Sequence, residues 1–137
     1  MKKILLVVSL LFFSLLSFSQ TLTDHEVYVE LQNVCQVMNA SCPYMLDSET
    51  RLDNVMAFEP KTIQYNGTLV NYSKSDLNVS VLKANLEPTL VNSVKTTPEL
   101  GVFREYKVTI SYYYYDKYGD FLFSIIISPE KYGYVYY

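Results

Sequence analysis

The stretch that decides the fold is YKVTISYYYYDKYGDFLFSIIIS, residues 106–128. Its first half alternates. Tyr106, Val108, Ile110, Tyr112 and Tyr114 fall on one side of an extended chain, and Lys107, Thr109, Ser111, Tyr113 and Tyr115 on the other, because successive strand side chains point to opposite faces. DKYG, residues 116–119, has the composition of a turn, with Gly119 free to take positive φ. DFLFSIIIS, residues 120–128, is rich in branched and aromatic residues and reads as the return strand. The tyrosine tract is therefore half of a hairpin. A disordered tract would be polar and poor in β-branched residues, and this one runs on into Ile125–Ile127.

Working outward, a second hairpin is expected at about 50–72. RLDNVMAF and TIQYNGTLVNY are both rich in β-branched and aromatic residues. Two turn signals compete. Asn66-Gly67 is the stronger local dipeptide. A turn there, however, would leave residues 51–58 without a partner, so the turn is placed at Glu59-Pro60-Lys61. Gly67 then lies inside a strand, as a bulge or a point of close approach.

Helices are expected before each hairpin. Thr23 and Glu26 fit a capping box, and Val27, Leu31, Val34 and Met38 recur on one helical face of a segment at about 24–40. Ser-Cys-Pro at 41–43 stops it. Val79, Leu82, Leu86, Leu90 and Val94 form a second stripe within about 78–104. Pro88 is expected to split or kink that helix near Glu87, since an interior proline costs ~3 kcal/mol. Thr-Pro-Glu-Leu at 97–100 restarts a short helix, with Pro98 in the first helical position. The fold class that follows is α+β: a four-stranded antiparallel sheet with two helices on one face, in the order α-ββ-α-ββ. The other face is left open. Tyr113 and Tyr115 are expected there, together with Tyr65 or Tyr72, as a candidate binding surface.

The first twenty residues, MKKILLVVSLLFFSLLSFSQ, have the layout of a bacterial secretory signal peptide. Lys2 and Lys3 are followed by an apolar run shorter than the roughly 20 residues of a bilayer span. Ser17 and Ser19 precede Gln20 at a cleavage junction. The expected organisation is residues 1–19 as the signal and 20–137 as one domain, with no membrane span after cleavage and a periplasmic or extracellular address. The remaining chain carries 9 basic and 14 acidic side chains, net −5. Its lysines are spread singly, so the clustered cations that hold a phosphate backbone are missing and no nucleic acid is expected. Ten of the fourteen tyrosines fall at or after Tyr106. Rings of that kind suit a protein, a glycan or a second copy of the chain.

Three segments carry a family resemblance: CPYMLDSETRLDNV (42–55), IQYNGTLVN (63–71) and YYYYDKYGDFLFSIIISPE (112–130). Together they resemble a group of small exported bacterial proteins of unknown function. Many members of that group have tyrosine where this chain has Gly67, which agrees with a strand running through that position. The resemblance implies no catalytic residue.

Chemistry-bearing residues are few. Cys35 and Cys42 are the only cysteines, and export makes a disulfide between them possible. Seven residues along one helix separate two α-carbons by ~10 Å, too far for a bridge unless the helix ends early. A thiol enzyme would need Cys42 as nucleophile and His25 as base, yet these stand at opposite ends of the first helix. Asp47, Glu49 and Asp53 form a small acidic group without a calcium-loop pattern. No metal or cofactor is expected. The reading is a non-catalytic binding or structural module of the envelope; a minimal envelope hydrolase and a homodimer-forming structural protein are the alternatives.

Overall fold

The computed structural model describes residues 21–133. The signal segment and the tail YVYY, residues 134–137, lie outside the described residues. Helix α1 spans Asp24–Asn39, β1 Tyr44–Met45, β2 Thr50–Phe58, β3 Thr62–Leu69, α2 Val79–Thr96, α3 Gly101–Glu105, β4 Thr109–Tyr115 and β5 Phe121–Ile127. Short 3-10 turns precede α2 and α3 and follow β5.

Both hairpins form where the sequence places them. Thr50–Phe58 pairs antiparallel with Thr62–Leu69 around Glu59-Pro60-Lys61, and Gly119 takes φ +89° in the second turn. The capping box is present. Glu26 N–H donates to Thr23 Oγ1, and Thr23 N–H to Glu26 Oε2 at 2.7 Å.

Three features differ from the sequence expectation. The sheet is mixed and has five strands, in the order β1-β2-β3-β4-β5, with β3 and β4 parallel. Each hairpin fixes only its own antiparallel pair. The long segment between β3 and β4 carries α2 and α3 and returns the chain to the end where β3 began, which makes adjacent strands parallel. Strand β1 is two residues long and too short to leave a periodic signal. Helix α2 also runs unbroken through Pro88. The hydrogen bond lost there frees the Ala84 carbonyl on an exposed turn, which is open to solvent. The helix breaks instead at Thr97-Pro98. Arg104 donates from Nη1 to the carbonyls of Val94 and Thr97 at 2.7 and 2.8 Å, closing the end of α2.

All the large buried side chains join one core. The α1 stripe Val27, Leu31, Val34 and Met38 packs with Leu52, Val55, Ile63 and Tyr65, and Leu86, Leu90 and Val94 of α2 complete the helix side. Helix α1 lies chiefly on β2 and α2 on β5. One side of the sheet is thereby sealed, and the strand register determines what the other side presents.

Candidate functional site: the open face of the sheet

The register fixes the composition of that face. Tyr65, Tyr112 and Ile125 stand side by side on β3, β4 and β5, and all three are buried. One residue further along the strands, Asn66 pairs with Tyr113 and Tyr113 with Ser124, and these point the opposite way. The open face reads in four rows. They are Phe58-Thr62-Thr109, Met56-Gln64-Ser111-Ile126, Asn54-Asn66-Tyr113-Ser124 and Arg51-Thr68-Tyr115-Phe121.

Its centre is a hydrogen-bonded polar rib. Gln64 Nε2 donates to Asn66 Oδ1 at 2.8 Å, and Asn66 Nδ2 to Asn54 Oδ1 at 2.7 Å. Asp53 lies at the bulge of β2, where it accepts from Arg51 Nε and Thr68 Oγ1, each at 2.5 Å. These bonds tie the rib together, and its amides keep further donor and acceptor positions on the open face. Apolar groups flank the rib. Met56 (44% exposed) and Phe58 lie on the β2 side, and Ile126 and Phe121 (46%) on the β5 side. Phe121 collects the two outward tyrosines, with ring centroids 5.9 Å from Tyr113 and 5.8 Å, edge to face, from Tyr115.

The expected tyrosines divide. Tyr113 and Tyr115 are half-buried and lie on the open face. Tyr65 does not join them: it is 5% exposed and stacks on Tyr112 at 5.5 Å inside the core, because the alternation of β3 turns odd-numbered residues toward the helices. Burial pushes its hydroxyl well above the ordinary tyrosine range, with Tyr112 adding to the shift. Tyr72 lies beyond the end of β3, packs against the core and donates its hydroxyl to Glu49 at 2.7 Å. That hydrogen bond to the carboxylate raises its pKa. Sequence reasoning missed Phe121, Met56, Phe58 and Ile126 as members of the face. The alternation of Met56, Phe58 and Ile126 was legible, but Phe121 has the same parity as the buried Phe123 and Ile125 and reaches this face only through the register shift between Tyr114 and Tyr115.

The remaining candidates are dispersed. Cys35 and Cys42 are free thiols. Burial pushes Cys35 up to about 11, and burial together with the charge of Asp53 raises Cys42, the direction that disfavours a nucleophilic thiolate. His25 sits in the first turn of α1 with Nδ1 3.7 Å from Glu59, a helix length from Cys42. The three carboxylates also serve separate partners. Asp47 accepts from the backbone of Glu49 and Thr50, Glu49 accepts from Tyr72, and Asp53 holds Arg51 and Thr68.

Side chains occupy part of each sheet edge, and beyond the two-residue β1 the strand β2 is itself an edge. On β2, the Asn39 amide bonds both backbone groups of Val55, donating to the carbonyl at 2.8 Å and accepting from the N–H at 2.7 Å. On β5, Lys74 Nζ donates to the Phe121 carbonyl at 3.3 Å and Lys131 Nζ to that of Ile126 at 2.8 Å. Lysines on an edge obstruct pairing with another strand, so the face is the better contact surface.

Residues 29–123 match a protein family described as Domain of unknown function (DUF8479). The chain belongs to that family. Among curated proteins, none matches the sequence. Solved structures share the fold. A Pseudomonas aeruginosa protein described as secreted superposes with a TM-score of 0.65 at 11% identity, over 82% of this chain and 97% of its own. EpsS, the pilotin of the Vibrio vulnificus type II secretion system, gives 0.64 at 8% identity, over 82% and 96%. AspS, the type II secretion pilotin of Vibrio cholerae, gives 0.58 at 9% identity, over 79% and 94%. At these identities the likeness is one of fold. Among the described residues, no helix is long and apolar enough to cross a membrane.

Proposed function

We propose that this DUF8479 chain is an exported, non-catalytic binding module of the bacterial envelope, consisting of a signal segment at residues 1–19 and one domain from residue 20, and that its open sheet face receives a protein partner. One observation carries the reading. Phe121, Tyr113 and Tyr115 form a partly exposed ring cluster on a face that no helix covers among the described residues, with Ile126 beside it and Met56 and Phe58 across the rib. Aromatic residues, methionine and arginine around a hydrogen-bonded polar centre match the make-up of protein interfaces. The shared fold with two secretion pilotins agrees with a protein-binding, envelope-associated role.

A second copy of the chain is the alternative occupant, and light scattering that finds a single-copy mass at high concentration excludes it. Cross-linked capture from envelope extracts tests the reading, comparing the wild-type chain with the triple variant Tyr113→Ser/Tyr115→Ser/Phe121→Ser. The expected result is a folded variant that loses a captured protein. An unchanged capture pattern from that variant rejects the open face as the contact surface.

A further inference from the structure

The row of the open face nearest the ring cluster extends onto β1. Met45 is the register partner of Arg51, so the row reads Met45-Arg51-Thr68-Tyr115-Phe121. Met45 is 48% exposed and Phe121 46%. The cation of this row therefore lies between apolar groups.

How Arg51 is held decides what it can take. Its Nε–H donates to Asp53 Oδ1, and the buried Thr68 donates its hydroxyl to Asp53 Oδ2. Asp53 is thus fixed at both oxygens and in turn fixes the guanidinium. A guanidinium carries five N–H donors. Here Nε is engaged, while among the described residues Nη1 and Nη2 have no hydrogen-bond partner. The side chain is 42% exposed. The end of the fork away from Nε is left open on the face, with two parallel N–H groups. Two parallel donors in one plane match the two oxygens of a carboxylate. A group already oriented also loses less freedom on binding.

The flanks decide which carboxylate fits. Met45 lies one strand spacing to one side of Arg51 and Tyr115 two spacings to the other, so apolar contacts about 14 Å apart bracket the cation. A chain terminus bound at Arg51 would cover one flank and leave the other wet. An internal acidic side chain lets the partner run past Arg51 in both directions. Four steps of extended chain span the same distance of about 14 Å.

We propose that Arg51 determines the specificity of the open face, and that the partner protein presents an internal aspartate or glutamate to its Nη fork with apolar side chains on either side. The inference rests on the protein-binding reading of that face and adds the chemistry the face selects. Asp53 lowers the local charge, so the gain is that of an exposed pair rather than a buried one.

Chemical-shift titration of the full chain by NMR, with the capped peptide acetyl-Leu-Ser-Glu-Ser-Leu-amide as probe, is the test. Shifts are expected at Arg51, Thr68, Tyr115 and Phe121. The glutamine counterpart, acetyl-Leu-Ser-Gln-Ser-Leu-amide, should bind about fivefold more weakly, the scale of one exposed charge pair. Arg51→Lys keeps the charge but loses the fork, and should reduce the preference for glutamate. Lys95→Gln, a charge change on α2, should leave it intact. Equal binding of the two capped peptides, or an undiminished preference in Arg51→Lys, overturns the proposal. So does a glutamine peptide with a free C-terminal carboxylate that binds as well as the glutamate peptide, since the carboxylate taken would then be a chain end. The two readings fail separately. Loss of protein capture by the triple ring variant, with equal binding of the capped peptides, overturns the Arg51 assignment alone. Unchanged capture by that variant, with neither peptide shifting the face, overturns the reading beneath it as well.

Discussion

Substituting neighbouring tyrosines of β4 in turn tests the alternation on which the open face depends. Tyr114 is 3% exposed and stacks on Phe123 at 4.9 Å with the ring planes 26° apart. Tyr113 is half-buried and touches Phe121 at 5.9 Å. Truncating a buried aromatic side chain costs about 3–5 kcal/mol, and the stacked pair adds roughly 0.5–1.5 kcal/mol. Tyr114→Ala should therefore lose about 4 kcal/mol or more, close to the whole stability of a domain whose total is roughly 5–15 kcal/mol. Tyr113→Ala gives up a partly wet contact and should lose about 1 kcal/mol. At roughly 4 °C per kcal/mol for a domain of this size, thermal denaturation followed by far-UV circular dichroism separates the two by more than about 10 °C. Equal losses, or a greater loss at Tyr113, would mean that the two tyrosines do not face opposite sides, and the proposed contact surface would fall with them.

The other predictions concern the edge, the turns and the thiols. Asn39→Ala removes two hydrogen bonds to Val55 and should cost about 2 kcal/mol in urea denaturation, with increased aggregation as β2 gains a free edge; an unchanged midpoint would show that the bonds contribute nothing. Lys107→Gly relieves the left-handed backbone and should raise stability by about 0.5–1 kcal/mol, whereas a drop would mean that the lysine side chain stabilises the fold. At Asp116, burial pushes the carboxyl up, but backbone donors from Asp120, Lys74, Tyr118 and Gly119 outweigh it and hold the pKa below 3.8. Its contribution is complete above that value and is lost as pH falls through the lower folded pKa, so Asp116→Asn should flatten the acid limb of melting temperature against pH; an unaltered limb contradicts this. Because Cys35 and Cys42 are both raised, iodoacetamide at neutral pH should label the native chain more slowly than the unfolded one at both positions, and rapid native labelling of Cys42 would refute it.

Local signals were legible wherever one residue type has one physical use. The capping box, the α1 stripe, the Glu59-Pro60-Lys61 turn and Gly119 all depend on contacts within a few residues, and all formed. The direction of β4 relative to β3 was not legible, because it depends on how α2 and α3 carry the chain back, and no dipeptide encodes that path. Pro88 misled for a related reason. Its cost depends on whether the freed carbonyl is wet, and only the packing of α2 shows that turn to be exposed. At the candidate site, the sequence showed that Tyr113 and Tyr115 share a side, but not that Phe121 meets them. A bulge in the β4–β5 pairing between Tyr114 and Tyr115 shifts the register and sets Phe121 opposite Tyr115. Without that shift, Leu122 would stand opposite Tyr115, and the ring cluster would lose its centre.

The partly occupied edges bear on what kind of partner the open face can accept. An open sheet offers two modes of contact, strand addition at an edge and packing on a face. Here an asparagine amide holds the middle of β2, and lysines reach carbonyls near both ends of β5, one of them also tied to Glu87 at 2.6 Å. Adding a strand on either side would break contacts the chain already makes. Packing on the face breaks none of these hydrogen bonds. A partner that covers the rib must meet its remaining amide donors and acceptors, while Phe121, Ile126, Met56 and Phe58 are apolar surface to remove from water. The balance favours a partner that lies across the strands and seats apolar side chains on both sides of the rib.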